Sequence, residues 1–277
     1  MLVSMKEILD KAKEGRYAVP APNVDNEHNV RACIEIAEEM KSPLILGFPF
    51  KSNPDIDYFG RILRDLCEKA SVPIAMNLDH GGNYEHCVKA LRAGFTGIMV
   101  DRSTCPYEQN VAEVKELVKI AHALGVSVEA ELGHVGGGQA YEIDGNAALT
   151  VPDEAARFVE ETGVDCLAVA IGTAHGFYKG EPYIRFDLLE EIAQKVPVPL
   201  VLHGGSGSGD ENLAKAAKLG ICKVNLSTDL KESMANALIN ADLSGYNIYG
   251  VYRFLAQGFK DKLAHYIRVL DSEGKAW

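Results

Sequence analysis

Pro73-Ile74-Ala75-Met76-Asn77-Leu78-Asp79-His80 is a short, mostly apolar run that closes on a carboxylate and an imidazole. Such a run reads as a strand over 73–79 buried on both faces, as in a parallel sheet. Seven comparable runs flank it, at 18–23, 43–48, 97–101, 127–133, 166–171, 199–203 and 223–227. Their starts recur every 24 to 39 residues, the rhythm of strand, loop and helix. Eight βα units in 277 residues predict one α/β domain over 1–277, a TIM (β/α)₈ barrel. Two Rossmann halves are the weaker reading, because no Pro/Ser-rich linker divides the chain.

The stretches between the runs carry helix signals. Ser4-x-x-Glu7 is a capping box that opens an extra N-terminal helix before the barrel, and Gly15 can end it. Pro152 begins another helix and Gly163 follows its end. Asp210 opens a segment that closes at Gly220, and 250–273 reads as a long C-terminal helix. Whether that last helix packs on a partner subunit or in the outer ring stays open.

Composition narrows the function. A formal net charge of −11 argues against a protein that grips nucleic-acid phosphates, while leaving room for a local anion site. The six scattered cysteines contain no C-x-x-C pair and read as buried thiols of a reducing compartment. No signal-peptide core or membrane-length apolar run is visible, so a soluble, cytoplasmic protein is expected.

Barrels carry their chemistry at the C-terminal ends of the strands. That rule selects Asn23, Asp79, His80, Asp101, Glu131, His175, His203 and Asn225. Three of the eight histidines, His80, His175 and His203, fall at or just past strands three, six and seven. Each alone reads as a hydrogen-bonded barrel residue. Three in equivalent places beside carboxylates favour a metal site with one open position, zinc above cobalt or iron. After strand seven, His203-Gly204-Gly205-Ser206-Gly207-Ser208-Gly209 offers backbone N–H groups to an anion, with Asn225-Leu226-Ser227-Thr228 beside it. A flexible connection is the plain alternative; together the two segments point to a phosphorylated substrate.

Five ordered segments, Asn77–Gly81, Val128–Gly133, Gly172–Gly176, Leu202–Gly207 and Lys223–Asn225, resemble the class II, metal-dependent ketose-bisphosphate aldolases, closest to the fructose and tagatose branch. The likeness runs from Ser4 to Gly274. It implies His80, His175 and His203 as ligands of one Zn2+ per chain, with Glu131 as an alternative ligand, and Asp79 as the acid–base group at the aldehyde oxygen. It also implies that Gly176, Gly204, Gly205, Ser206, Asn225, Leu226, Ser227 and Thr228 hold the dihydroxyacetone-phosphate half. Asn23 joins them as a substrate contact, and Lys179 supplies an extra cation. A monovalent cation (Na+ or K+) near the phosphate and a homodimer or homotetramer are further implications.

The chemistry agrees independently of the name. Splitting a C–C bond beside a carbonyl leaves an enediolate, whose charge a chelating metal stabilises, and a carboxyl group must exchange a proton with the nascent aldehyde. A Schiff-base lysine would need a strand-end position, whereas Lys223 reads at the opposite rim. Three departures stand out. Where the family carries Gly-Gly-x-Glu-Asp, this chain has Gly136-Gly137-Gly138-Gln139-Ala140, and glutamine cannot act as a base. Glu142 is the expected substitute, with Asp144, another exchange route or a partner-dependent enzyme as alternatives. Arg102 replaces a small residue and is expected at an anionic group of the aldehyde half, or else in a salt bridge to a neighbouring loop. Ser227 stands where fructose-bisphosphate enzymes often have an acid, which leaves the sugar stereochemistry open. A barrel hydrolase lacks its His-x-His near Asn23, and a non-catalytic sugar-phosphate-binding subunit stays possible because of Gln139.

Overall fold

The computed structural model describes residues 1–52, 55–138 and 148–277. Eight parallel strands form one sheet: β1 (Val19–Pro22), β2 (Leu44–Pro49), β3 (Ile74–Gly81), β4 (Gly97–Val100), β5 (Ser127–Leu132), β6 (Cys166–Val169), β7 (Leu200–Leu202) and β8 (Ile221–Leu226). They are joined in the order β1-β8-β7-β6-β5-β4-β3-β2. The remaining seam carries a parallel bridge between Asn23 and Gly47. The result is the expected TIM barrel, nearly closed.

Burial divides the side chains as a barrel requires. Met76, Leu78, Ile98, Val100, Val128 and Ala130 join the layer between strands and helices. Val19, Ala21, Ile45, Ala75, Met99, Ala168 and Val201 fill the interior. Helix α1 (Met5–Gly15) seals the floor, packing Met5, Ile8, Leu9 and Ala12 against those interior residues. The Ser4–Glu7 capping box forms as expected, satisfying amides that the first turn leaves unpaired. Gly15 remains helical, and Arg16 takes the left-handed turn instead, at φ 52°.

Helices α2 (Glu27–Glu39), α3 (Ile56–Lys69), α4 (Tyr84–Arg92), α5 (Tyr107–Ala123), α6 (Pro152–Thr162), α7 (Phe186–Lys195) and α8 (Asp210–Lys218) follow the strands in turn. Pro152 opens α6 and Gly163 ends it at φ 74°, both as expected. After β8 come α9 (Thr228–Ile239) and the long α10 (Val251–Val269). Helix α10 packs on α2, α8 and β1 as well as α9. It therefore occupies the eighth place in the outer ring. Among the described residues, no helix is long and apolar enough to cross a membrane.

Candidate active site and metal centre

The C-terminal ends of β3, β6 and β7 bring three imidazoles together. His80 Nε2 lies 3.3 Å from His175 Nε2 and 3.1 Å from His203 Nδ1, and His175 Nε2 lies 3.5 Å from His203 Nδ1. Each ring's outer nitrogen faces an acceptor: His80 Nδ1 meets Asp101 Oδ2 at 2.8 Å, His175 Nδ1 meets the Val135 carbonyl at 3.1 Å, and His203 Nε2 meets Glu129 Oε1 at 2.8 Å. Outer N–H groups on all three rings direct three lone pairs at one point, an arrangement that a cation satisfies. Tetrahedral zinc with bonds of about 2.0–2.1 Å needs nitrogens about 3.3–3.4 Å apart, so the cluster fits such an ion. Glu131, 1% exposed in its side chain, adds a buried Oε2 without a hydrogen-bond partner beside the cluster.

Asp79 and His80 are adjacent, and a regular strand would send them to opposite faces. The β3–β4 register shifts between Leu78 and Gly81, and His80 adopts φ 50°. This bulge aims both side chains into the site. Close packing fixes it, because a Cβ on Gly81 would lie 2.4 Å from the Met99 carbonyl.

Asp79, on β3, is held by two asparagines that reach it from the end of β1 and from β8, on the other side of the barrel seam. Asn23 Nδ2 donates to its Oδ2 at 3.1 Å, and Asn225 Nδ2 donates to its Oδ1 at 2.8 Å. The Oδ1 atoms of both asparagines are buried without a partner. Burial disfavours the Asp79 carboxylate, but His80, His203 and Lys223 outweigh it and lower the pKa. Burial also opposes charge on His80, yet Asp79, Asp101 and Glu131 push its pKa up to about 9. Burial and the charge of His80 lower both His175 and His203.

A cavity of about 220 Å³ opens above these groups. Pro49 and Gly176 contribute to its wall, and the Gly204–Ser206 turn faces residues 225–228 across it. Gly204 is left-handed at φ 71°, and a Cβ there would lie 2.3 Å from the Ala174 carbonyl oxygen. The Ser206 hydroxyl accepts from Ser227 N at 3.1 Å and Asp229 N at 3.3 Å, which ties the turn to the start of α9. Its own O–H remains available as a donor.

A family model described as "Fructose-bisphosphate aldolase class-II" matches residues 3–275. The chain belongs to the class-II fructose-bisphosphate aldolase family. It is 39% identical to the fructose-bisphosphate aldolase of Geobacillus stearothermophilus over 99% of each chain. It is 45% identical to that of Thermus caldophilus over 83% of this chain and 84% of the other. The crystal structure of the YdjI aldolase from Escherichia coli K12 superposes with a TM-score of 0.90, at 35% identity and full coverage of both chains.

Within this aldolase-family barrel, most residues selected from the sequence converge. Asn23, Asp79, His80, His175, Gly176, Gly204, Ser206, Asn225, Leu226, Ser227 and Thr228 line the one cavity. His203 and Glu131 lie beneath it in the ligand cluster. Gly205 packs behind the turn, where its N–H donates to the Asn225 carbonyl. Lys179 is exposed on the loop after His175 and does not line the cavity. Glu142, Gln139 and Asp144 lie outside the described residues.

Arg102 requires a correction. It is 6% exposed and points away from the cavity, donating to the Gly81 carbonyl at 3.0 Å and the Asp101 carbonyl at 2.7 Å while pairing with Glu113 on α5. Its guanidinium braces the ends of β3 and β4 in a salt bridge, though the partner Glu113 lies on helix α5 rather than on a neighbouring loop. Lys223 also differs from expectation: it lies inside β8, fully buried, with Nζ 2.6 Å from Glu129 Oε2.

Sequence reasoning missed two contributors, Glu129 and Tyr178, and one partnership. Glu129 supports His203, and its signal was a second inward carboxylate two residues before Glu131 in an otherwise apolar strand. Asp101 was selected by position, but its partnership with His80 was not. Tyr178 had no local signal. Its hydroxyl accepts from Ala174 N at 2.8 Å and lies 3.0 Å from the Gly204 carbonyl, linking the two loops beside His175 and His203.

Proposed function

We propose that this chain is a zinc-dependent aldolase. It reversibly cleaves a ketose 1,6-bisphosphate of the fructose or tagatose type, or a related acidic ketose 1-phosphate, into dihydroxyacetone phosphate and an aldehyde. The observation that carries this reading is the convergence of three imidazole nitrogens beside a carboxylate clamped by two amides. His80, His175 and His203 would hold the ion, with Glu131 as an alternative ligand. When bound, such an ion supplies Lewis acidity that polarises a carbonyl and offsets developing negative charge.

The remaining work belongs to the chain's own side chains. In cleavage, the Asp79 carboxylate takes the proton of the hydroxyl that becomes the aldehyde; in condensation, it returns that proton to the aldehyde oxygen. Asn23 and Asn225 fix both carboxylate oxygens, so the proton travels without a search for geometry. Gly176, the 204–206 turn and residues 225–228 would receive the phosphate, with their N–H and O–H groups as donors. Lys179 and a monovalent cation are proposed as further positive charges for it. Glu142 is proposed for the proton on the dihydroxyacetone carbon. A single domain over 1–277, a homodimer or homotetramer and a cytoplasmic location complete the proposal.

The test is release of dihydroxyacetone phosphate by the zinc-loaded chain, before and after chelation. The panel contains fructose and tagatose 1,6-bisphosphates and ketose 1-phosphates ending in carboxylate or sulfonate. Release from one member that disappears on chelation and returns with zinc is expected. Release undiminished by complete metal removal would overturn the mechanism.

A further inference from the structure

Beneath the three-histidine cluster, the barrel interior contains an ion pair without solvent contact. Lys223 on β8 and Glu129 on β5 are both 0% exposed in their side chains, and their charged atoms lie 2.6 Å apart. The second Glu129 oxygen lies 2.8 Å from His203 Nε2, and His203 is also 0% exposed. The chain Lys223–Glu129–His203 thus runs upward from the interior and ends at His203 Nδ1, which faces His80 and His175.

A buried pair of this kind is weak grounds for stability by itself, because apolar replacements of equal volume are often neutral. Its geometry does something else. A carboxylate has acceptors on both oxygens, so it can receive from Lys223 and from His203 at once. Receipt from Nε2–H leaves Nδ1 with its lone pair, the form a metal requires. We propose that Glu129 and Lys223 are positioning residues that set the His203 tautomer, with Lys223 occupying one oxygen of Glu129 and the other reserved for His203. The part of this inference that concerns an ion rests on the metal reading above; the tautomer itself does not.

Glu129→Gln makes a sharp test. Glutamine has one acceptor oxygen, and the three donors of Lys223 claim it. The amide NH2 then faces His203 Nε2 and favours the tautomer with the proton on Nδ1, aimed where the ion would sit. Adding Lys223→Met releases the glutamine oxygen, which can turn to accept from Nε2–H again. A pair needed only for folding would show no such rescue.

Long-range ¹H–¹⁵N spectra of metal-free protein with ¹⁵N-labelled histidine, with His203 assigned by its loss in His203→Asn, read the tautomer. Competition with a chromogenic chelator reads Zn2+ affinity. Expected results are Nε2–H in the wild type, Nδ1–H in Glu129→Gln with affinity lower by about 10–100-fold, and recovery of both in the double variant. An unchanged tautomer in Glu129→Gln, or a double variant no better than the single, would overturn the proposal. If Glu129→Gln fails to fold, the double variant decides: Nε2–H supports the inference and Nδ1–H overturns it. A wild type that binds no Zn2+ would refute the metal reading, while the tautomer measurement would still judge the positioning role.

Discussion

Gly204→Ala tests whether the turn after β7 is fixed by steric contact with the β6 loop. Gly204 follows His203 and has φ 71°, and its added Cβ would approach Ala174 O to 2.3 Å, C to 2.6 Å and N to 2.9 Å. Ordinary contact begins near 3.4 Å, so one backbone must move by about 1 Å. Left-handed geometry costs an alanine about 1–2 kcal/mol, and overpacking adds about 1–3 kcal/mol, giving about 2–5 kcal/mol in all. Gly125 is the matched control, because it has the same φ of 71° with nothing within 4 Å of its Cβ position. Gly125→Ala should lose only the conformational part, about 1–2 kcal/mol. Urea denaturation of both metal-free variants measures the difference. Because Gly204 and Ala174 adjoin His203 and His175, zinc affinity should also fall in Gly204→Ala and hold in Gly125→Ala. Equal destabilisation by the two substitutions would refute the steric reasoning.

Asp79→Asn removes the proposed proton carrier and should lower the cleavage rate by about 10²–10⁴-fold while zinc content stays at the wild-type level; an unchanged kcat would exclude Asp79 from proton transfer. Arg102→Ala should cost about 1–3 kcal/mol in a denaturation series, since it removes the buried donor to the Gly81 and Asp101 carbonyls, and should leave KM for an anionic aldehyde unchanged. A raised KM without loss of stability would restore the recognition role. Burial pushes the thiols of Cys67 and Cys87 up to about 12 from 9.0. Above pH 9 the folded state therefore holds protons that the unfolded chain has released, and stability falls as pH rises towards 12. The expected loss is on the order of 1 kcal/mol per thiol per pH unit, read from urea midpoints between pH 8.5 and 11 under reducing conditions; flat midpoints would contradict it.

The barrel, its floor helix and most of the cavity wall were legible in the sequence because their signals are local. Apolar runs of strand length, a capping box at Ser4 and glycines after His203 each report the conformation of a few neighbouring residues. His80, His175 and His203 could be selected because barrel geometry gives every strand end the same destination. Arg102 shows the limit: its position beside Asp101 placed it at the functional rim, but the choice between cavity and interior depended on Glu113, eleven residues further along the chain on α5. The adjacent pair Asp79 and His80 likewise needed a bulge to face the same way, and that bulge is enforced by the carbonyl of Met99 on the next strand.

What the sequence by itself determined is therefore the set of elements and the chemical groups at their ends. Tertiary structure alone decided which partners those groups meet. Asn23 and Asn225 clamp Asp79 only because β1 and β8 become neighbours, and Lys223 reaches Glu129 across 94 residues of chain. Periodicity encodes which face of a strand is buried, whereas such pairings depend on register and closure around the whole barrel.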